Sequence, residues 1–305
     1  MKRAFTLIEL IVVIVIMGIL ASIGAEIFTN MYKNYIQISN IHDLEAKTKN
    51  VSEIVAKRFE YSIRESVAAT RQNPDSNDIK TMAIISVDDL NDSSDDPNIG
   101  LIWFSRDYDM EKDLTRSNFM RYSPSNGVIH VPNGAIRDSD RGYIFIIPDL
   151  INQYADFDTF YRNINTDNSL QSAVIADINS TGKTVDLNTT GSPFLSSSVS
   201  KFYLSDTIHR INTINPTEPT DAQGNNYLNG NGKNLRTYDL ALFSCNSSGT
   251  NCTNTIIEKD ISSFRFRRVG RGSLIIKICM VDKVLDYESG GRKYLYEICK
   301  TRVVQ

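Results

Sequence analysis

Lys2–Phe28 reads "KRAFTLIELIVVIVIMGILASIGAEIF", and the reading of this stretch decides the rest. From Phe5 to Ala25 the only charged residue is Glu9. As a helix these about 21 residues span about 31 Å, enough to cross a hydrocarbon core. Lys2 and Arg3 precede the run, so the positive-inside rule holds the N-terminus in the cytoplasm and sends the remainder across. A carboxylate in such a helix costs about 2.5–3.5 kcal/mol at the bilayer centre on insertion scales, so Glu9 needs a reason. An ordinary secretory signal or signal anchor also has a basic start and an apolar run. It explains neither Glu9 nor the unbroken passage into a second helical pattern.

That second pattern starts near Ile41. Ile41, Leu44, Val51, Ile54, Val55, Phe59, Ile63 and Val67 recur in steps that line one helical face. Glu53–Lys57 and Glu60–Arg64 are i,i+4 pairs in the favourable order. "Gln72-Asn73-Pro74" supplies a stop. The apolar stripe needs a surface, and the remaining sequence offers strands. Candidates are Thr81–Val87, Gly100–Ser105, Asn118–Tyr122, Val128–Val131, Tyr143–Ile147 and Ala173–Ile178, followed by Lys201–Leu204, Leu235–Phe243, Ile261–Arg267, Ser273–Val281 and Lys293–Val304. One long helix followed by runs of strands predicts an α+β fold with a mostly antiparallel sheet. Asp88–Asn98 and Asn215–Asn234 read as polar loops.

Cys245, Cys252, Cys279 and Cys299 all fall in the last quarter of the 305 residues. An even, clustered set in an exported chain predicts disulfides; zinc is the weaker alternative, because no CxxC occurs. Four cysteines allow three pairings. "ESGGR" is a turn signal, and a hairpin centred on Ser289 sets Cys279 opposite Cys299. Cys245 and Cys252 flank "NSSGTN", another hairpin tip. The predicted bonds are therefore Cys245–Cys252 and Cys279–Cys299.

The opening stretch resembles the N-terminal signal of type IV prepilins and of the pseudopilins of type II secretion. In that family a short basic leader is cut on the cytoplasmic side by a prepilin peptidase. The new N-terminal residue, usually Phe, is N-methylated, and the fifth residue of the processed chain is usually Glu. Carried onto this sequence, the resemblance implies cleavage between Ala4 and Phe5, methylation of Phe5, and Glu9 as the assembly glutamate. Ala4 stands where the family usually has Gly. Glu26 stands where major pilins commonly carry a helix-kinking Pro, and no Pro occurs before Pro74. The missing Pro favours a minor pilin or pseudopilin over a major subunit, and Ala4 is small enough for the cleavage position. "LEAKTKNVSEIVAKRFEYSIRES", with its Ile63-Arg64 pair, "KFYLSDTIHRIN" and "EKDISSFRFRR" loosely resemble the W-type minor pilins and J-type pseudopilins.

The resemblance implies a type IV pilin-like fold. Residues 1–4 would be the leader, 5–25 the transmembrane and assembly helix, 26–73 its amphipathic continuation, and 74–305 a periplasmic β-rich head. It also implies a single-pass protein of the bacterial inner membrane, later part of a pilus or pseudopilus. Its partners would be other pilins, the prepilin peptidase and the membrane assembly platform. A tip-displayed adhesin or substrate-binding head is the second expectation.

Other chemistry is thinly marked. A net charge of −3 gives no reason to expect nucleic acid. No HExxH, GxSxG or P-loop occurs, and His42, His130 and His209 are scattered, so no enzyme and no cofactor is expected. Asp88, Asp89, Asp92, Asp95 and Asp96 could supply oxygens to Ca²⁺, which some pseudopilins bind. Their spacing is not that of an EF-hand, and a solvated acidic loop is the expectation. Asn91, Asn179 and Asn188 each sit in Asp-x-Asn-x-Ser/Thr, which resembles a bacterial glycosylation acceptor.

Overall fold

A computed structural model describes residues 7–71, 82–90, 99–108, 121–123, 128–130, 143–146, 157–162, 173–178, 184–187, 203–246, 249, 252–269 and 273–304. Helix α1, Leu7–Glu60, runs without a break through Glu26. Its length follows from sequence: no Pro interrupts it, and Glu9 sits in the first turn with Lys57 and Arg58 in the last, complementing the helix dipole.

The helix ends at Glu60 and does not reach Gln72. Tertiary pairing overrides the helical spacing of Ile63 and Val67. Ile63 N–H donates to the Phe104 carbonyl at 2.9 Å, and Arg106 N–H donates to the Tyr61 carbonyl at 2.7 Å. The chain then makes a single 3-10 turn at Arg64–Ser66 and enters β1, Ala68–Arg71. The buried stripe also differs from the apolar periodicity. Leu44, Val51, Val55 and Phe59 are buried with Thr48 and Ser52, whereas Ile54 faces outward at 44% exposure. Thr48 and Ser52 tolerate burial because their hydroxyls donate back to the Leu44 and Lys49 carbonyls.

The main sheet continues with β2 (Ala83–Ile85) and β3 (Ile99–Ser105). Between β3 and the next strand of this sheet lies a second set: β4 (Arg121–Ser123), β5 (Val128–His130), β6 (Tyr143–Ile146), helix α2 (Phe157–Arg162), β7 (Ala173–Ile178), β8 (Thr184–Leu187) and β9 (Tyr203–Ser205). The main sheet resumes with β10 (Thr207–Thr217), β11 (Thr237–Asn246), β12 (Thr253–Val269), β13 (Ser273–Ser289) and β14 (Arg292–Val304). Its order is β14-β13-β12-β11-β10-β3-β1-β2, and every pairing is antiparallel. The inserted strands form a sheet of order β4-β5-β8-β7-β6-β9. This is an α+β, type IV pilin-like architecture: one long N-terminal helix and an antiparallel eight-stranded sheet.

The second half of α1 packs on β13 and β14. Val51, Val55 and Phe59 share a core with Trp103, Ile211, Leu240, Ile276 and Ile278. The Phe59 and Trp103 rings lie 4.1 Å apart. A second cluster gathers Ile63, Ala68, Ile84, Ile102, Phe104 and Ile208 with Tyr161 of α2 and Tyr203 of β9. Tyr161 stacks on Phe104 at 5.2 Å and donates to the Ser66 carbonyl, which ties the insert to the main sheet. Burial raises the Tyr161 phenol well above its ordinary value and keeps it protonated.

Gly100 has a specific reason. A Cβ there would lie 1.7 Å from Asn212 Oδ1 on β10, so only glycine lets the two strands pair at this point. Asn215 has φ 52 and precedes Pro216 at the β10 bulge, where the missing N–H costs no ladder bond.

Candidate functional site: the helix and the head it carries

The candidate site is the exposed first half of α1. Leu7, Ile8, Leu10, Ile11 and the apolar residues onward to Ile38 are exposed, most of them by more than half. By length and composition α1 can cross a membrane, and none of its most apolar window is buried in the fold. Glu9 sits on this surface, one turn before Val12 and Val13. Ala4 and Phe5 lie outside the described residues, as do Asn91, Asn179 and Asn188.

Below the exposed half, polar contacts fix the helix to the sheet edge. Lys300 Nζ donates to Glu45 Oε1 at 2.5 Å, and this holds the Glu45 carboxyl below its ordinary value. Arg302 reaches Glu53 at 2.6 Å and Ser52 at 3.2 Å. Gln37 Nε2 donates to the Tyr296 hydroxyl at 3.1 Å.

The four cysteines form Cys245–Cys252 and Cys279–Cys299. In each pair the Cα atoms are 4.0 Å apart, and Cys279 stands directly opposite Cys299 in the β13–β14 ladder. The second hairpin reaches its register differently from the expectation. Its two-residue turn is Gly290-Gly291, with φ 59 and 71, not a turn centred on Ser289. Lys283, Val284 and Leu285 then bulge out of β13, which slips the ladder and restores Cys279 opposite Cys299. Cys279, Glu297 and Cys299 cluster tightly enough to suggest a metal. Their sulfurs are bonded to each other, so the set retains one carboxylate, which accepts from Ser262 Oγ at 2.5 Å.

Of the acidic loop, Asp88 pairs with Arg268 at 3.6 Å. Asp92, Asp95 and Asp96 lie outside the described residues, as does the Asp89 side chain. His42 is exposed on α1, while His209 is half-buried on β10 beside Trp103 and Ser244.

The polar segment Asn215–Asn234 carries a feature that sequence reasoning missed. Asp221 is buried, with 3% side-chain exposure. It accepts from the N–H groups of Gln223 and Asn225, from the Asn225 amide and from Lys293 Nζ at 2.9 Å. Lys293 chiefly holds this carboxyl well below the usual range. The segment is thus pinned to β14 at the hairpin end. The Asp-x-x-x-Asn spacing was the available signal. Beside it a polar groove of about 610 Å³ runs over the sheet, lined by Lys233, Arg236, Tyr238, Lys277 and Glu297 among others.

Residues 1–25 match the family described as the prokaryotic N-terminal methylation motif. No curated protein and no solved structure matches the chain. The matched segment contains Ala4, Phe5 and Glu9 and runs to the end of the apolar stretch. With an apolar N-terminal helix, two disulfides and an antiparallel head, this signal supports a type IV pilin or pseudopilin and is consistent with anchoring in a membrane.

Proposed function

We propose that the chain is a minor pilin or pseudopilin that assembles through the first half of α1. The observation that carries this is the methylation motif at residues 1–25, leading directly into an exposed apolar helix. A prepilin peptidase would cut between Ala4 and Phe5, and Phe5 would be N-methylated. Before assembly the chain would cross the bacterial inner membrane once, with the head in the periplasm, where both disulfides can form.

Glu9 then has a physical role. The new amine at Phe5 and the Glu9 carboxylate are two charges in low dielectric. Pairing one subunit's amine with a carboxylate already in the bundle offsets both desolvation costs and fixes the axial register. Partners would be other pilins, the peptidase and the inner-membrane platform. The inserted second sheet makes the head bulky for a repeating subunit, which favours a place at or near the tip.

Intact mass and N-terminal sequencing of protein from native membranes test this reading. We expect a chain beginning at methylated Phe5, and loss of filament or pseudopilus assembly in Glu9→Val. A chain beginning at Met1, or cut near Ala21–Gly24, overturns it.

A second reading rests on the insert and the polar groove. The head would display a binding surface, and changes there would leave filaments normal while attachment or substrate capture is lost.

A further inference from the structure

The contacts between α1 and β14 form a ruler. Gln37 meets Tyr296, Glu45 meets Lys300, and Glu53 meets Arg302. Both elements therefore run in the same direction. From Gln37 to Glu53 the helix rises about 24 Å, and from Tyr296 to Arg302 the strand rises about 20 Å. The two scales nearly agree, so positions on β14 convert to levels on α1. Going backward from Tyr296 to Gly291 covers about 16 Å, the length of about eleven helical residues. The hairpin tip then stands near the level of Glu26, just beyond the end of the apolar segment at Ala25.

What stands at this end suits a lipid surface. Ser289, Gly290, Gly291 and Arg292 are exposed. Leu228 N–H donates to the Lys293 carbonyl at 3.0 Å, which brings the turn Asn229–Lys233 alongside. Asn229 Oδ1 holds that turn by accepting from the N–H groups of Asn231 and Lys233. Arg292 and Lys233 thus place cations at the end of the head, and the Asp221–Lys293 pair makes the end rigid. Slightly higher, Tyr287 stacks on Tyr294 at 5.4 Å and meets Tyr296 edge-on at 5.2 Å. Even-numbered residues of β14 reach the helix, so Tyr294 and Tyr296 look toward α1. Tyr32 and Tyr35 of α1 are 65% and 70% exposed. Tyrosines gather where an apolar body and a polar tip are both satisfied, which is the membrane–water interface.

We propose that the β13–β14 hairpin tip, with the Asn229–Lys233 turn, rests on the phospholipid headgroup layer of the membrane that α1 crosses. Arg292 and Lys233 meet anionic headgroups, and the tyrosines form an interfacial belt. The proposal rests on the membrane span proposed above. It gives the head a second foot on the membrane, so the head's tilt is set before assembly and the contact must break on extraction.

Fluorescence quenching in the full chain, reconstituted at low density in phosphatidylethanolamine–phosphatidylglycerol vesicles, tests it. Ser289→Trp, Val303→Trp and Ile16→Trp each add a reporter to the single, fully buried Trp103. A headgroup nitroxide lipid should quench the Ser289→Trp signal at least twofold and leave Val303→Trp unchanged. An acyl-chain nitroxide lipid should quench Ile16→Trp. Equal quenching at Ser289 and Val303, with Ile16 quenched, overturns the docking while the span stands. An unquenched Ile16 overturns the span and the docking with it. Quenching at Ser289 that vanishes as protein density rises leaves the lipid contact intact in the isolated subunit. A Ser289→Trp signal that stays unquenched at low density and shifts to the blue only as density rises shows that a second copy is the occupant, and it overturns the proposal.

Discussion

The first half of α1 is apolar on every side, and the second is apolar on one. Leu7 to Tyr35 leave their side chains outside the fold, whereas Leu44, Val51, Val55 and Phe59 are each no more than 4% exposed. One backbone carries both patterns. The difference shows which environment each half was built for. A helix that is apolar all round has no preferred side toward water, so it belongs in lipid or among other helices. A narrow stripe needs a partner of its own chain, and the sheet supplies it. The head is therefore complete without the first half, and the first half is incomplete without a membrane or a bundle.

The sharpest way to break this comparison is to truncate one large side chain in each half. Phe59→Ala removes a ring packed on Trp103 and leaves a cavity against the sheet. It should cost the head about 3–5 kcal/mol. Ile16→Ala should leave the urea midpoint of the detergent-solubilised chain unchanged, because nothing in the fold packs on it. Equal losses would mean that the first half folds back onto the head.

How much of this was legible depends on how local each signal is. Residues 1–25, with Phe5 and Glu9 among them, form one contiguous string, so the signal read from sequence and the family match coincide there. The disulfide pairing was legible because both bonds close short hairpins. It was reached for Cys279–Cys299 with the wrong turn centre, since the compensating bulge at Lys283–Leu285 leaves no mark that alternation can show. The end of α1 was hidden: Ile63 and Val67 keep the helical step, and only the pairing of residues 61–63 with the end of β3 stops the helix. Strand β10, Thr207–Thr217, is absent from the expected strands: the expected Lys201–Leu204 overlaps β9 instead, and Arg210, Asn212 and Thr213 interrupt the apolar pattern of β10. Arg210 is buried over the Phe243 ring, its Cζ 3.9 Å from the ring centre, and burial lowers its guanidinium to about 10. The lipid-facing end of the head was invisible for a similar reason, since it needs the register of β14 against α1.

Removing the two disulfides separately sharpens the comparison within the head. Loop closure gives about 3 kcal/mol for Cys279–Cys299, whose separation is 20, and about 2 kcal/mol for Cys245–Cys252, whose separation is 7. Paired Cys→Ser variants, measured by urea denaturation, should follow that order. Neither loss should change when Ile16→Ala is added. Coupling between them would join the two halves that the burial pattern separates.

The smallest expected effect lies at the seam between the second half of α1 and the sheet. His209 stands 5.8 Å from the Trp103 ring, with Ser244 on Nδ1 at 3.0 Å. Burial first, and the Arg58 charge second, lower its imidazole from 6.5 to about 4, with Asp206 opposing. The fold therefore prefers the neutral ring. Above pH 6.5 neither state is protonated and the stabilisation is complete. As pH falls from 6.5 toward 4 the unfolded chain takes up a proton that the folded chain refuses, so stability drops. After allowing for partial exposure, about 1–2 kcal/mol should be lost across this window. His209→Gln should flatten the slope between pH 6.5 and 5, where the carboxylates contribute least. Asp221 acts in a separate window, because its depressed carboxyl is lost only as pH falls below 3.8. A slope that persists in His209→Gln would place the acid-sensitive group elsewhere. A slope that disappears would show that the seam holding the second half of α1 feels acid, while the first half, whose contacts lie outside the fold, does not.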